Sequence, residues 1–442
     1  MQPQQREYTP AAHLRARRAA AFRALAADVM VLAAAPVQYA SRDTDRPYRP
    51  DSELFYLTGA TEPDTVAVFV GGDVPEWILF VPPRDPDAEL WAGPRLGPEE
   101  AAERLQPDAC YPSTELEERL PDLLARGRRI HYRLGTGDRV ERCVLSALTR
   151  ARTRGPRTGT GPRGVLDPGG ILDELRLRKD SHEIDRLRAA AELTLDGQRE
   201  AARVVRPGVG EWEVQAELEA TFARAKAAPA FGTIVGAGRN ACVLHYRAND
   251  APIPEDGLVL VDAGAELDLY NGDVTRTYPA KGRFSDAQRR IYDLVEAARR
   301  TAVDAVAPGR AVGEVHDAAV HVLVAGLRDL GILDGDVGAL VEAGAHKPYF
   351  PHQTSHWLGL DVHDPGDYAW NGASRTLEAD MVLTVEPALY FRPGGAVEAE
   401  PYTGIGVRIE DDVLVTETGH ENLTANLPTA SHDVEALLDE IR

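Results

Sequence analysis

The sequence predicts an α/β protein of two domains, and three observations lead to this fold class. The chain has 442 residues, which at roughly 150 residues per domain allows two or three domains. Short β-branched runs alternate with helical patterns in both parts of the chain. Residues 150–164 are rich in Gly, Pro and Arg and interrupt this alternation. We therefore expect one domain over residues 1–170 and a second over residues 171–442.

The balance of charge limits the possible partners. The 49 Lys and Arg residues against 70 Asp and Glu residues give a formal net charge of −21. Because such a surface repels phosphate groups, we expect neither a nucleic-acid partner nor a membrane partner. No apolar run approaches the ~20 residues that a membrane helix requires. Three cysteines provide no disulfide framework. We therefore expect a cytoplasmic protein.

The first domain is predicted to alternate strands and helices. An amphipathic helix near residues 11–27, rather than a signal peptide, leads into the first buried strand. The predicted strands are residues 29–34, 65–71, 77–81 and 129–133, and the further helices are residues 99–105, 115–125 and 140–152. We interpret the basic residues 150–164 as a solvated connector, with a docking patch as the alternative.

The second domain contains a repeated helix signature. Long helices are predicted at residues 181–205 and 286–307. Each is followed by a Pro-Gly pair and, a few residues later, by a glutamate that opens another helix, Glu211 in the first case and Glu314 in the second. This recurrence predicts two related halves within one α/β domain.

Four acidic residues stand beside buried strand patterns. Asp262 and Glu386 end apolar runs, Asp273 precedes a β-rich run, and Glu410 ends another. A turn at Asn271-Gly272 would form a hairpin that brings Asp262 and Asp273 together. Any one of these acids could face water or pair with an arginine. Four buried carboxylates close together, however, are not tolerated without cations.

A histidine-rich segment offers a nitrogen ligand. Three of the chain's 12 histidines, His352, His356 and His363, lie close together among aromatic residues and glycines. A lone histidine is more often a core or surface residue, but this clustering favours a site. His245 is a weaker candidate on its own.

This set of residues predicts a di-metal hydrolase. Carboxylates with one nitrogen ligand suit Mn²⁺, Mg²⁺ or Zn²⁺, and a carboxylate-rich set favours the harder ions. Two divalent ions carry four positive charges, which four carboxylates would balance. Such a pair acidifies a bridging water to hydroxide near neutral pH, which is the arrangement used in two-metal hydrolysis.

Several longer motifs carry a family resemblance. The segments are RPDSELFYLTGATEP (49–63), ELWAGPRLG (89–97), VDAGAELDLYNGDVTRTY (261–278), HQTSHWLGLDVHD (352–364), VLTVEPALY (382–390) and GVRIEDD (406–412). Through them nearly the whole chain resembles the aminopeptidase P family of pita-bread metallopeptidases. The resemblance implies an N-terminal α/β domain of the creatinase and aminopeptidase P type. It also implies a C-terminal pita-bread catalytic domain with pseudo-twofold halves.

The resemblance also implies a ligand set. The family's metal ligands fall on Asp262, Asp273, His356, Glu386 and Glu410. By this resemblance Asp273 and Glu410 bridge two Mn²⁺ ions, with Zn²⁺ or Co²⁺ as alternatives. Asp262 would bind one ion, and His356 and Glu386 would bind the other.

The implied mechanism is attack by a metal-bridging hydroxide on the carbonyl that precedes proline. Glu386 would accept a proton from that water, and His245 or His363 would stabilise the oxyanion. His352 matches a further active-site histidine of the family, and Arg408 matches the arginine of its last strand. We therefore expect these five residues to be catalytic, and the histidines and Arg408 also to contact the substrate.

The expected activity is that of an exopeptidase that releases the N-terminal residue from proline-containing peptides with proline in second position. The alternative is a prolidase, which shares all five ligands but accepts only Xaa-Pro dipeptides. A silent binding protein on the same fold is disfavoured because every ligand is present. The resemblance further implies that the N-terminal domain limits the substrate's N-terminus and mediates a homo-oligomer, a dimer or tetramer. Trp91 is then either a core residue or a substrate-binding residue that reaches a neighbouring subunit's active-site mouth.

Overall fold

The computed structural model describes residues 8–394 and 400–442, and the chain divides into two units, Met1–Leu175 and Arg176–Arg442. The helices of the first unit are α1 (Ala11–Leu25), α2 (Ser52–Thr58), α3 (Pro86–Ala92), α4 (Gly97–Leu105), α5 (Leu116–Leu124) and α6 (Arg139–Thr158), and α7 (Gly169–Leu177) follows at the junction with the second unit. The strands of the first unit are β1 (Val29–Ala33), β2 (Tyr39–Ser41), β3 (Thr44–Asp45), β4 (Val66–Val70), β5 (Glu76–Val81), β6 (Ala109–Pro112), β7 (Ile130–His131) and β8 (Val165–Leu166).

The first unit is built on a six-stranded mixed sheet in the order β6-β5-β4-β1-β7-β8. The central strand β1 pairs antiparallel with β4 and parallel with β7. Residues of both β1 and β4 are buried almost throughout, which explains why each strand reads as a continuous apolar run. Val31 and Val68 of this sheet pack in one core with Leu120 of α5 and Val144 of α6. The strands and helices predicted for this region are therefore present.

One expectation for the first unit was wrong. Residues 150–158 are not a connector, because they continue helix α6, which ends at Gly159 in a left-handed conformation with φ 71°. Pro156 lies in the last turn of that helix, where it removes the N–H that would donate to the carbonyl of Arg152. The basic residues are exposed, so this part of the helix is solvated.

The second unit contains six helices and thirteen strands among its described residues. The helices are α8 (Ser181–Val204), α9 (Glu211–Arg224), α10 (Asp286–Asp304), α11 (Val312–Asp329), α12 (Val337–Glu342) and α13 (Ser431–Ile441). The strands are β9 (Ala228–Pro229), β10 (Ile234–Ala237), β11 (Leu258–Ala263), β12 (Ala265–Leu267), β13 (Tyr270–Asn271), β14 (Val274–Pro279), β15 (Ala369–Trp370), β16 (Ala373–Ser374), β17 (Val382–Val385), β18 (Ala388–Tyr390), β19 (Gly406–Arg408), β20 (Asp411–Val415) and β21 (His420–Asn422).

The prediction of two related halves is confirmed by matching details. Helix α8 packs on α9, and α10 packs on α11. In each pair the connecting turn contains a left-handed glycine, Gly208 with φ 84° and Gly309 with φ 86°. The N–H of each glycine donates to a carbonyl of a later segment of its own half, at 2.9 Å to Ile253 and 2.8 Å to Leu377. The two halves therefore share one way of reversing the chain.

The helix starts differ slightly from expectation. Helix α11 begins at Val312, and Glu314 is its third residue, where its carboxylate accepts from the N–H of Ala311 at 3.1 Å. Glu213 makes the same contact with Gly210 at 2.7 Å in the first half. The equivalent glutamates of the repeat are thus Glu213 and Glu314, each closing a capping interaction.

One apolar core unites the second unit. Val261 of β11, Tyr292 of α10, Leu323 of α11 and Val413 of β20 all belong to it and are essentially inaccessible. Cys110, Cys143 and Cys242 are free thiols. Among the helices of residues 8–394 and 400–442, none combines the length and apolarity needed to span a bilayer.

Candidate metal centre

The first hairpin places two of the predicted acids side by side. Strands β11 and β14 pair antiparallel with Asp262 opposite Thr275, and Asp273 immediately precedes β14. The backbone crosses itself closely here, since a Cβ on Gly264 would lie 1.8 Å from the carbonyl oxygen of Gly272. Only glycine permits this approach. Asp262 and Asp273 consequently lie together at one end of the hairpin, and both are buried.

The turn of this region is not at the expected position. Asn271 lies in β13, which pairs with β12. The reversal between those strands is made by Asp268 and Leu269, whose φ angles are 54° and 72°. The amide of Asn271 instead donates to the carbonyls of Gly359 and Leu360, so this side chain holds the histidine-rich segment.

The second hairpin supplies the other two acids by the same geometry. Strands β17 and β20 pair antiparallel with Val385 opposite Asp411. Glu386 directly follows β17 and Glu410 directly precedes β20, so both emerge at the same end. The N–H of Glu410 donates to the carbonyl of Thr275 at 3.1 Å. This bond joins the two hairpins, and with them the two halves of the unit.

The histidine-rich segment runs beside β17 without forming a regular strand. The N–H of Thr384 donates to the carbonyl of His356 at 2.9 Å, and the N–H of Glu386 donates to the carbonyl of Thr354 at 2.8 Å. The Nδ1 atom of His356 lies 3.1 Å from the carbonyl of Trp357. Its Nε2 atom is thereby directed at the acids, 3.5 Å from Asp273 and 3.8 Å from Glu386.

The resulting donor set fits a divalent cation. One ligand atom each of Asp273, His356 and Glu410 lies within 4.8 Å of the others. The Oδ1 atoms of Asp262 and Asp412 are buried and find no hydrogen-bond partner among the described residues. Buried acceptors without donors are expected where a cation completes the coordination.

Charge repulsion points to the same conclusion. Burial, reinforced by Asp262 and Glu386, raises the pKa of Asp273 well above its ordinary value. Burial, reinforced by Asp273, also raises the pKa of Glu410. Burial and the neighbouring Glu410 raise the pKa of Glu386 to about 8. Carboxylates that resist ionisation in this way are stabilised as anions by bound cations.

Arg408 links the acids of the two halves. Its guanidinium is buried, donates to Asp262, and also donates to the hydroxyls of Thr275 at 3.0 Å and Tyr390 at 2.7 Å. Thr275 in turn donates to Glu410 at 2.6 Å. One arginine and one threonine therefore orient a carboxylate from each hairpin. The attraction of Asp262 and Tyr390 outweighs burial and keeps the pKa of Arg408 above its ordinary value.

The remaining histidines surround this cluster at different depths. His352 lies with Nε2 3.1 Å from the hydroxyl of Tyr390 and Nδ1 3.6 Å from Glu386, and burial with the charge of Arg408 lowers its pKa to about 4. The ring of His363 is exposed and its centroid lies 4.3 Å from that of His356. His245 is exposed in a turn after the 3₁₀ helix Gly238–Cys242. Burial and the neighbouring His356 lower the pKa of His363.

Trp91 lies in α3 of the first unit and is 90% exposed. The alternative that made it a core residue is therefore wrong. Sequence reasoning missed Thr275 and Tyr390, because nothing in their local pattern marks them. Tyr390 is the last residue of the motif VLTVEPALY (382–390). It reaches Arg408 through the pairing of β18 with β19.

The fold and the donor set define a metallohydrolase whose site is assembled from two related halves. Comparison with family models agrees: residues 185–417 match metallopeptidase family M24, and residues 14–131 match the aminopeptidase P N-terminal domain. The chain therefore belongs to metallopeptidase family M24 and carries an N-terminal domain of the aminopeptidase P type. The predicted family, the pita-bread fold and the assignment as a hydrolase are confirmed.

Individual relatives resemble the chain along nearly its whole length. It is 42% identical to the Xaa-Pro aminopeptidase of Escherichia coli over 92% of each chain, and 38% identical to that of Haemophilus influenzae over 90% of each. Its structure is similar to that of aminopeptidase PepP of Pseudomonas aeruginosa, with a TM-score of 0.94, 40% identity and 99% of each chain covered. It is also similar to a zinc-substituted Escherichia coli aminopeptidase P in complex with product, with a TM-score of 0.93, 40% identity and 98% and 99% covered.

Proposed function

We propose that this chain is a metal-dependent Xaa-Pro aminopeptidase, which releases the N-terminal residue from peptides with proline in second position. The observation that carries the proposal is the cluster of Asp273, His356 and Glu410, into which each half of the domain brings an acid. The relatives named Xaa-Pro aminopeptidase support it over both domains. They give no support to a prolidase restricted to dipeptides.

We further propose that Asp262, Asp273, His356, Glu386 and Glu410 hold two divalent ions, with Mn²⁺ as the preferred ion and Zn²⁺ or Co²⁺ as alternatives. The carboxylate-rich donor set supports a hard ion. The unpartnered Oδ1 of Asp262 supports a ligand role for that residue. Bound ions would supply Lewis acidity, which lowers the pKa of water and polarises the scissile carbonyl.

Glu386 is the proposed proton carrier. A proline amide has no N–H, and its nitrogen must be protonated to leave as an amine. The Glu386 side chain is the most accessible of the site's acids, 18% exposed, and this accessibility supports the role. We propose that it takes a proton from the attacking water and returns it to the proline nitrogen.

The histidines and Arg408 are proposed to bind and orient the substrate. His245 and His363 are exposed, so their ring N–H groups are accessible to the carbonyl oxygen that gains negative charge. His352 has a pKa of about 4 and is neutral at neutral pH. The hydroxyl of Tyr390 contacts both His352 and Arg408. We propose that this hydrogen-bonded group holds the substrate backbone beside Glu386.

We also propose that the first domain limits the substrate's N-terminus and mediates a cytoplasmic homo-oligomer, a dimer or tetramer. Leu90 and Trp91 are adjacent, apolar and 81% and 90% exposed, which is typical of a surface that another chain covers. In this proposal Trp91 contacts the substrate of a neighbouring subunit. Light scattering that finds only monomer at assay concentration would refute the assembly.

One experiment tests the activity and its alternative together. Metal content is measured on the purified protein, and the same sample is assayed on Xaa-Pro dipeptides, Xaa-Pro-Yaa tripeptides and an N-acetylated tripeptide. We expect about two ions per chain, cleavage of the tripeptide at least as fast as the dipeptide, and none of the acetylated peptide. Cleavage of dipeptides alone would establish the prolidase, and cleavage without bound metal would refute the proposed site.

A further inference from the structure

The loop that carries His363 has no regular secondary structure of its own. Residues 359–363 form bends rather than a helix or strand, and His363 itself is exposed. A histidine that must meet a substrate atom within a few tenths of an ångström needs a fixed backbone. The contacts of the next residue, Asp364, show how this backbone is held.

Asp364 is buried between two cations. Its Oδ1 atom accepts from Arg176 at 2.6 Å, and its Oδ2 atom accepts from Lys179 at 3.0 Å. Both cations are 3% exposed; Arg176 lies at the end of helix α7, and Lys179 lies in the link from α7 to α8. Although burial alone would raise it, Lys179 and Arg176 hold the pKa of Asp364 below its ordinary value. Arg176 also pairs with Asp361 at 2.7 Å, but Lys179 has no other carboxylate partner among the described residues. Because removing the Asp364 carboxylate would leave this buried ammonium without a counter-charge, the carboxylate is strongly held in place.

The carboxylate of Asp364 also closes the loop on itself. Its Oδ1 atom accepts from the N–H of Asp361 at 3.0 Å, and its own N–H donates to the carbonyl of Trp357 at 3.0 Å. The fit is tight, since a Cβ on Gly359 would lie 2.5 Å from Oδ2 of Asp364. The loop thus encloses the anchored carboxylate, and His363 is the residue next to it.

We propose that Asp364 is a positioning residue for His363, and that the Arg176–Asp364–Lys179 triad sets where that imidazole meets the substrate. The inference rests on the proposed role of His363 in the reaction. Asp364 does not belong to the donor cluster of Asp273, His356 and Glu410, and its side chain is buried. Its effect on the reaction passes through the backbone it shares with His363.

A double-mutant cycle tests the proposal with the full-length, metal-loaded enzyme. Asp364→Asn should lower kcat by about 10- to 100-fold with little change in KM or bound metal, and His363→Ala should lower kcat as well. In the double variant, Asp364→Asn should produce no further loss, because its effect requires the imidazole. Additive losses would show that Asp364 acts independently of His363, and would overturn the proposal.

Two further variants keep the test decisive if Asp364→Asn folds poorly. Gly359→Ala leaves every charge in place but displaces the Asp364 carboxylate, so it should lower kcat in the same direction. Glu378→Gln is the matched control: it breaks a pair with Arg178 of the same connecting segment, but both side chains are nearly half exposed, so kcat should not change. Normal kcat in a folded Gly359→Ala variant would refute the positioning role. If wild type does not cleave Xaa-Pro peptides, the proposed function is wrong. If Glu378→Gln lowers kcat as much as Asp364→Asn does, the effect of Asp364→Asn is not specific to the triad and the positioning role is refuted.

Discussion

Asp273→Asn should separate the stability of the site from its function. Asp273 lies at the centre of a cluster that also contains Asp262, Glu386 and Glu410, against which Arg408 is the opposing charge. Asparagine keeps the shape of aspartate but removes its charge and one oxygen ligand. We expect the variant to lose bound metal and hydrolysis, while the metal-free protein becomes more stable than metal-free wild type.

The size of this gain follows from the geometry. Ligand oxygens of Asp273 and Glu410 lie within 4.8 Å of one another. At an effective dielectric constant of about 20, two unit charges at this distance repel by about 3.5 kcal/mol. Because burial keeps part of the cluster protonated at neutral pH, this repulsion is only partly present. The gain in the free energy of unfolding should therefore lie between zero and about 3.5 kcal/mol.

The assay is urea unfolding of chelator-treated wild type and variant at neutral pH, with elemental analysis and peptide hydrolysis on untreated samples. Asp439→Asn is the control, because that aspartate pairs with Arg283 at the surface with both side chains more than half exposed, and it should leave stability nearly unchanged. A metal-free Asp273→Asn variant less stable than wild type would show that Asp273 is not under repulsion. Retention of about two ions and of activity would refute its ligand role.

Three further predictions concern the remaining site residues. His356→Ala should lower metal occupancy, whereas His352→Ala and His363→Ala should retain metal and lose turnover; equal metal loss in all three would contradict this division. Because Glu386 has a pKa of about 8 in the folded, metal-free protein against an ordinary value of 4.5, the folded state binds more protons than the unfolded state between those values. The contribution of Glu386 to the free energy of unfolding, measured as the difference between metal-free wild type and metal-free Glu386→Gln, should thus fall as pH rises from about 4.5 to about 8, and a rise of this difference in urea titrations would be inconsistent with it. Trp91→Ala should weaken peptide hydrolysis or oligomer formation, and unchanged kinetics and light scattering would remove Trp91 from the site.

The sequence revealed the fold and the candidate ligands because their signals are local. Asp262 and Glu386 each end a run of apolar residues, and a carboxylate at the end of a buried strand is visible without any tertiary information. The repeated helix ends at Gly208 and Gly309 are equally local, since a left-handed turn requires glycine there. The pairing of the strands then brings the acids to one end of each hairpin.

The residues that the sequence did not reveal make contacts between distant segments. Thr275 donates to Glu410, which is 135 residues away, and Arg176 reaches Asp364 over 188 residues. A threonine within a β-rich run and an arginine near a helix end have no local mark that distinguishes them from solvent-facing residues. The true turn at Asp268 was missed for a different reason, because Asn271-Gly272 has the stronger turn preference but is held by pairing and by the histidine-rich segment.

The division of the acids between the halves has a thermodynamic consequence. Asp262 and Asp273 belong to the hairpin of the first half, and Glu386 and Glu410 belong to that of the second. Without a cation these four groups repel one another, and the shared apolar core and the bond from Glu410 to Thr275 oppose that repulsion. A cation bound by both hairpins reverses the sign of this interaction and adds its binding free energy to the folded state. Occupancy of the site and the pairing of the two halves are therefore coupled, so that a substitution that weakens either one weakens the other.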